Sequence, residues 1–231
     1  MDLILVAGLW MPVSVWDDVA HELTALGHRP LPLPLPGVDD DRAEATLDDQ
    51  LGALLDAVDA AEHPYVVGHS AASGLAWLAA DRRPDTVSGV ALVGGFPNAD
   101  GEVYADLFPV EEGVMPFPGW EPFEGPDAAD LDAPTRERLA ASARPVPAGV
   151  SRGVVHLHDE RRFGVPVTLV CPEFSPAQAR DWVAGGDLPE LARAERLAYV
   201  DLDSGHWPMA TRPVQLARLL AEAATSAGAA A

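Results

Sequence analysis

The stretch Tyr65-Val66-Val67-Gly68-His69-Ser70-Ala71-Ala72-Ser73-Gly74 decides the fold. A short apolar run stops at Gly68, Ser70 follows after one intervening residue, and small residues lead into a helix-like segment ending near Ala80. The pattern is strand, sharp turn, helix, with Ser70 at the apex. A turn this tight tolerates only small neighbours, and it lifts the serine hydroxyl clear of the sheet. The pattern G-x-S-x-G is met except at its last position, where Ala72 stands for glycine.

On either side, the same alternation repeats. Asp2–Ala7 reads as a buried strand, Val13–Leu26 as an amphipathic helix with Ser14 as N-cap, and Thr46–Ala61 as a second helix capped by Thr46. Between them, Leu31-Pro32-Leu33-Pro34-Leu35-Pro36-Gly37 carries prolines at alternate positions, which restricts it to an edge strand leading into an extended loop. Past the turn come a helix to Ala80 and a strand over Val87–Val93. Strand and helix in strict alternation imply a parallel sheet flanked by helices. Residues 96–162 break the rhythm with prolines, glycines, acids and the aromatics Phe96, Tyr104, Phe108, Phe117, Trp120 and Phe123, and hold one short helix over Thr135–Ala143. That is too long for a connecting loop, so it reads as a cap insertion whose aromatics either line an apolar pocket or fasten the segment to the core. The alternation resumes with a strand over Val165–Cys171, a helix over Pro176–Gly185 capped by Ser175, a helical turn over Leu188–Ala194, a strand over Leu197–Leu202 and a closing helix over Pro213–Ala224. The alanine tail after Ser226 reads as frayed. The expected architecture is one α/β domain, a mostly parallel six-stranded sheet built from residues 1–95 and 163–231, with 96–162 inserted.

Composition narrows the function classes. A formal net charge of −21 repels phosphate backbones and anionic membranes, so neither nucleic acid nor a membrane is expected as a partner. The single Cys171 rules out an intrachain disulfide and a cysteine-based zinc site, and it lies in an apolar run as a small hydrophobe. His156 and His158 form a surface pair with no strong third ligand, and Gly94-Gly95 lacks the spacing of a nucleotide-binding loop, so no metal or cofactor is expected. With no basic-plus-apolar leader and no apolar run of membrane-spanning length, a cytoplasmic location is the default expectation.

A serine hydroxyl needs a general base within hydrogen-bond reach, and histidine suits that task near neutral pH. His69 precedes Ser70 and so points away from the hydroxyl, packing under the turn. His21, His28 and His63 flank helices as surface residues. His206 follows the last strand in a glycine-containing loop, and post-strand loops of a parallel sheet collect at one edge. Ser70 and His206 are therefore placed together.

These features resemble the α/β-hydrolase fold over nearly the whole chain: Ser70 on its elbow, the late Gly205-His206, and the alternation, with residues 96–162 where that family carries its cap. The chain starts at what would be the family's third strand, as in its smaller members. The resemblance implies Ser70 as nucleophile, His206 as base, and an oxyanion hole from the N–H groups of Ala71 and of Leu9, with Trp10 the alternative by one residue. The family's loop histidine is absent from Ala7-Gly8-Leu9. Its usual aspartate is absent too, because Pro172-Glu173-Phe174-Ser175-Pro176 puts Ser175 at that position. Glu173 is the acid chosen here, with Asp100 beside Asn98, Asp203, or no acid at all left open. Trp10, Phe96 and Trp207 are expected to line the substrate pocket. The implied activity is hydrolysis of a small apolar or aromatic carboxylic ester or thioester by a monomer or homodimer. Non-hydrolytic proton-transfer chemistry, as a lyase or cyclase, is the alternative, and a silent binding scaffold is disfavoured by the intact Ser70 and His206.

Overall fold

The computed structural model describes residues 1–40 and 42–228. Its strands are β1 (Asp2–Val6), β2 (Arg29–Pro32), β3 (Tyr65–His69), β4 (Gly89–Val93), β5 (Val114–Met115), β6 (Val146–Pro147), β7 (Val167–Cys171) and β8 (Leu197–Asp201). Six of them form one sheet in the order β2-β1-β3-β4-β7-β8, and every neighbouring pair is parallel. β3 and β4 are buried at every residue, as expected of central strands covered on both faces.

The strand order places the helices. From β1 the chain steps one way to β2, but from β3 it steps the other way to β4, β7 and β8. Right-handed crossovers therefore put the helix of the first crossover on the face opposite the helices of the crossovers that follow. Accordingly α2 (Leu47–Asp59) packs on α3 (Ala72–Arg82), and α1 (Asp17–Ala25) lies on the other face, where α9 (Pro213–Gly228), which closes the chain after β8 and the short α8 (Pro208–Thr211), packs on it. The reversal of direction lies between β1 and β3, and the crevice at such a point is where open α/β sheets bind ligands.

Local chemistry explains the element ends. Alternate prolines suit β2 because Arg29 and Leu33 donate to the carbonyls of Met1 and Leu5, which leaves Pro30 and Pro32 on the outer side of an edge strand. Thr46 and Asp49 form a reciprocal cap on α2, and Ser175 and Gln178 do the same on α6 (Pro176–Gly185). The first helix differs from expectation. Val13–Trp16 is a 3-10 turn and α1 proper begins at Asp17, with no cap from Ser14. The Val13 N–H at the head of this turn is satisfied by the carboxylate of Asp39 at 2.8 Å. At the other end, α9 extends to Gly228 and buries Ala224 and Ala227 rather than fraying after Ser226; residues 229–231 of that tail lie outside the described residues.

Between β4 and β7 the chain makes the antiparallel pair β5–β6, helix α4 (Ala133–Ser142) and the short helix α5 (Ala148–Ser151). Its return is pinned on α3 by buried polar groups. Asp81 accepts the N–H groups of His158 and Asp159 at 2.8 and 2.9 Å. Arg162 pairs with Glu190 at 2.8 Å, and Glu190 also accepts the Trp77 indole N–H at 2.9 Å. Such a network is costly to break because removing one member strands a buried charge. Glu190 belongs to α7 (Pro189–Arg193), so these bonds tie the insertion, α3 and the β7–β8 crossover together.

Candidate active site

Ser70 sits just past the C-terminal end of β3 with φ +54°, the left-handed conformation that non-glycine residues rarely adopt. Its surroundings enforce this. The helix that follows folds back so closely that a Cβ on Gly68 would fall 2.2 Å from the Ala72 carbonyl oxygen, and Ala72 is itself fully buried. Alanine therefore meets the requirement for a small residue at the last position of the turn motif.

His206 follows β8, three strands from β3, so roughly 14 Å of sheet separates their axes at the usual strand spacing. The loop 202–206 runs back across the strand ends and closes that gap. His206 Nε2 lies 2.9 Å from Ser70 Oγ, and Nδ1 lies 2.8 Å from Glu173 Oε1. Glu173 follows β7, between the two. A proton on Nδ1 donates to the carboxylate, which leaves Nε2 free to accept from the serine hydroxyl. The side chains of His206 and Glu173 are only 15% and 13% exposed, so their attraction is little screened by water. The other acids weighed from sequence lie elsewhere. Asp100 accepts the Leu157 N–H at 2.8 Å, Asn98 donates to the carbonyls of Val103 and Tyr104, and Asp203 offers its backbone carbonyl to Arg212. Ser175 serves as the cap of α6.

The backbone of His206 is held from two directions. His69 is fully buried, and burial pushes its pKa down to about 3, with the nearby His206 adding to the effect. It is therefore neutral, and its Nε2–H donates to the His206 carbonyl at 2.7 Å. From the insertion, the Asp127 carbonyl accepts the His206 N–H at 2.8 Å. Contact there is so close that a Cβ on Gly205 would lie 2.3 Å from that carbonyl oxygen and 2.5 Å from Asp130 Oδ1.

The loop after β1 comes up beside Ser70. Gly8–Met11 is a turn closed by Met11 N–H to Gly8 carbonyl at 3.3 Å, with Trp10 at φ +64° in the position that usually favours glycine. Burial holds the tryptophan there. Its indole N–H donates to the Met115 carbonyl at 3.1 Å, and its ring meets Phe108, Phe117 and Phe123 edge-on. Among the described residues the N–H groups of Leu9, Trp10 and Ala71 have no intrachain acceptor. Ala71 is the N-cap residue of α3, so its N–H also sits at the positive end of a helix.

Two cavities meet at Ser70. The one on the His206 side, about 180 Å³, is walled by Leu9, Trp10, Phe108, Phe123 and Trp207, with Asp127 among its polar groups. The other, about 340 Å³, runs along Ala71, Phe96 and Tyr104. Leu107, two-thirds exposed, lines both. Thus Trp10 and Trp207 share one chamber while Phe96, packed on Phe174 and Trp182, borders the second. A separate depression of about 480 Å³ between β8 and α9 contains none of these residues. Sequence reasoning singled out the insertion's aromatics as a group but not Asp127, and no spacing in Gly125-Pro126-Asp127-Ala128 distinguishes that acid from its many neighbours. Nor does sequence show that Phe117 and Trp120 stand behind the cavity wall, Phe117 against Trp10 and Trp120 against Trp207.

Among the described residues no helix is long and apolar enough to cross a membrane. Among curated proteins, none matches the sequence significantly. Solved structures resemble the fold over almost the whole chain. An extracellular α/β-hydrolase from a Paenibacillus species, described as sharing structural and functional homology with tobacco salicylic acid binding protein 2, has a TM-score of 0.80 at 18% identity, covering 96% of this chain and 98% of that one. A methylesterase from Arabidopsis gives 0.72 at 16% identity over 98% and 99%. Tomato methylketone synthase I, complexed with 2-tridecanone, gives 0.71 at 17% identity over 97% and 98%. The family model described as "Alpha/beta hydrolase family" matches residues 3–219, and with the six-stranded parallel sheet this makes the chain a member of the α/β-hydrolase family.

Proposed function

We propose that the chain is a serine hydrolase cleaving a small carboxylic ester or thioester with an apolar or aromatic body. The observation that carries this reading is the unbroken relay from Ser70 Oγ through His206 to Glu173, with contacts of 2.9 and 2.8 Å. His206 takes the serine proton as Ser70 attacks the acyl carbon, then returns it to the leaving group. Water activated by the same imidazole frees the acyl-enzyme. Glu173 fixes the tautomer and stabilises the imidazolium. The N–H groups of Leu9 and Ala71 receive the oxyanion, and residues 96–162 act as a cap that keeps water from the aromatic chamber. The substrate is a small molecule handled in the cytoplasm; nucleic acid and membrane surfaces are disfavoured by the charge of −21.

The non-hydrolytic alternative rests on the absent aspartate and on the absent loop histidine. The Glu173 carboxylate, 2.8 Å from His206, weighs against the first ground, while the second stands, and one structural neighbour is a methylketone synthase. A fluorophosphonate probe and a short-chain nitrophenyl ester separate the readings. Labelling with ester turnover, both abolished in Ser70→Ala with a loss on the order of a million-fold, is expected. Labelling without turnover moves the assignment to proton-transfer chemistry, and neither signal in the unaltered chain overturns it.

A further inference from the structure

The cavities beside Ser70 carry more negative charge than the relay uses. Glu173 is matched by His206, whose imidazole holds its Oε1 and becomes cationic during turnover. His69 is neutral. Asp127 is the surplus. Its side chain has no hydrogen-bond donor among the described residues, yet the residue is half-buried and lines the same cavity as Ser70, His206 and Glu173. Burial and the charge of Glu173 both raise its carboxyl pKa, with His206 opposing them. No lysine or arginine lines either cavity, and the second adds Glu102 and Asp187. Arg136, on the same side of the insertion, is already engaged by Glu124 and by the Ala128 and Leu131 carbonyls.

A carboxylate without a donor, on a residue that shares one cavity with Trp10, Phe108, Phe123 and Trp207, is the combination that attracts an organic cation. The carboxylate supplies charge, and the rings offer polarisable walls that hold an ammonium group once it sheds water. The same charge opposes anions, and the field of the whole chain adds to that preference. We propose that Asp127 is a specificity-determining residue and that the substrate carries a positively charged nitrogen seated beside it in the aromatic chamber. This rests on the hydrolase reading and narrows it: amine-bearing esters fit, whereas acyl groups on phosphate-bearing or acidic carriers do not.

Choline and its neutral isostere 3,3-dimethylbutan-1-ol share size and hydroxyl and differ in charge. Binding of each is measured by calorimetry and by the change in total tryptophan fluorescence, on the unaltered chain and on Asp127→Asn. Choline is expected to bind about ten-fold more tightly than the isostere, and Asp127→Asn to bring the two level. Equal binding of both by the unaltered chain, no detectable choline binding, or a preference that survives Asp127→Asn overturns the proposal. The corresponding acetate esters are then compared for turnover. A preference in binding with no hydrolysis of either ester and no labelling of Ser70 sinks the hydrolase reading alone, while hydrolysis of both at equal efficiency sinks the cation site alone.

Discussion

The sheet and the insertion both hold His206, but in different ways. From the sheet side come Glu173 on one ring nitrogen, Ser70 on the other and His69 on the carbonyl, all on or just after buried strands. From the insertion comes one backbone bond, Asp127 carbonyl to His206 N–H, plus the rings of Trp120 and Phe123 against Trp207. At the centre of the sheet β3 and β4 are buried at every residue. The insertion leaves Val103, Leu107 and Val154 well exposed, and its aromatics Phe108, Phe117, Trp120 and Phe123 are only partly buried. On the proposed reading the difference would separate two tasks, chemistry at the sheet edge and selectivity in the aromatic wall, with the Asp127–His206 backbone bond as the point where they touch.

That division can be broken at four points. The largest effect is expected at Glu173→Gln, which keeps the shape but loses the charge that fixes the His206 tautomer; kcat should fall about 1,000- to 10,000-fold with KM little changed. Ser175→Ala, which removes only a helix cap, should cost about 1 kcal/mol of unfolding free energy and leave turnover intact. Unchanged kcat in the Glu173 variant removes it from the relay. Next is Gly205→Ala. Its new methyl would push the His206 loop and the insertion apart, and kcat should drop about 100-fold, the cost of misplacing a base by an ångström. Wild-type kcat there shows that the insertion does not help set the base. Third, Phe123→Ala removes a wall contact with Trp10, Phe108, Phe117 and Trp207. KM should rise about ten-fold with kcat within about three-fold, and a loss confined to kcat would break the division of labour.

The smallest effect concerns stability. His69 has a folded pKa near 3 against an ordinary 6.5. Above 6.5 the imidazole is neutral in both states. Below it the unfolded chain takes up a proton that the folded chain refuses, so stability falls as pH drops from 6.5 towards 3. One such proton contributes a slope of at most about 1.4 kcal/mol per pH unit. Urea unfolding followed from neutral to mildly acidic pH should show His69→Asn losing about one proton's worth of that slope. Equal slopes in the two proteins mean that His69 is not held neutral.

Most of the sheet was legible in the sequence because its strands are short continuous apolar runs separated by periodic helices, and that contrast survives in any surroundings. Ser70 was legible because a turn so tight leaves a mark in composition, and His206 because loops after parallel strands must gather at one end. What sequence left open depended on through-space distances. Glu173 and Asp203 are both acids in post-strand loops, and only the path of the loops brings the first to 2.8 Å from His206. Val13–Trp16 is a 3-10 turn ahead of α1, and its first N–H bonds Asp39, a contact between distant segments that no local pattern marks. Asp127 carries no local mark at all, since its role comes from the contact between the insertion and Gly205. Periodicity and small-residue turns are written locally and fixed the elements. Which charges face one another is set by packing between distant segments, and that only the tertiary structure decided.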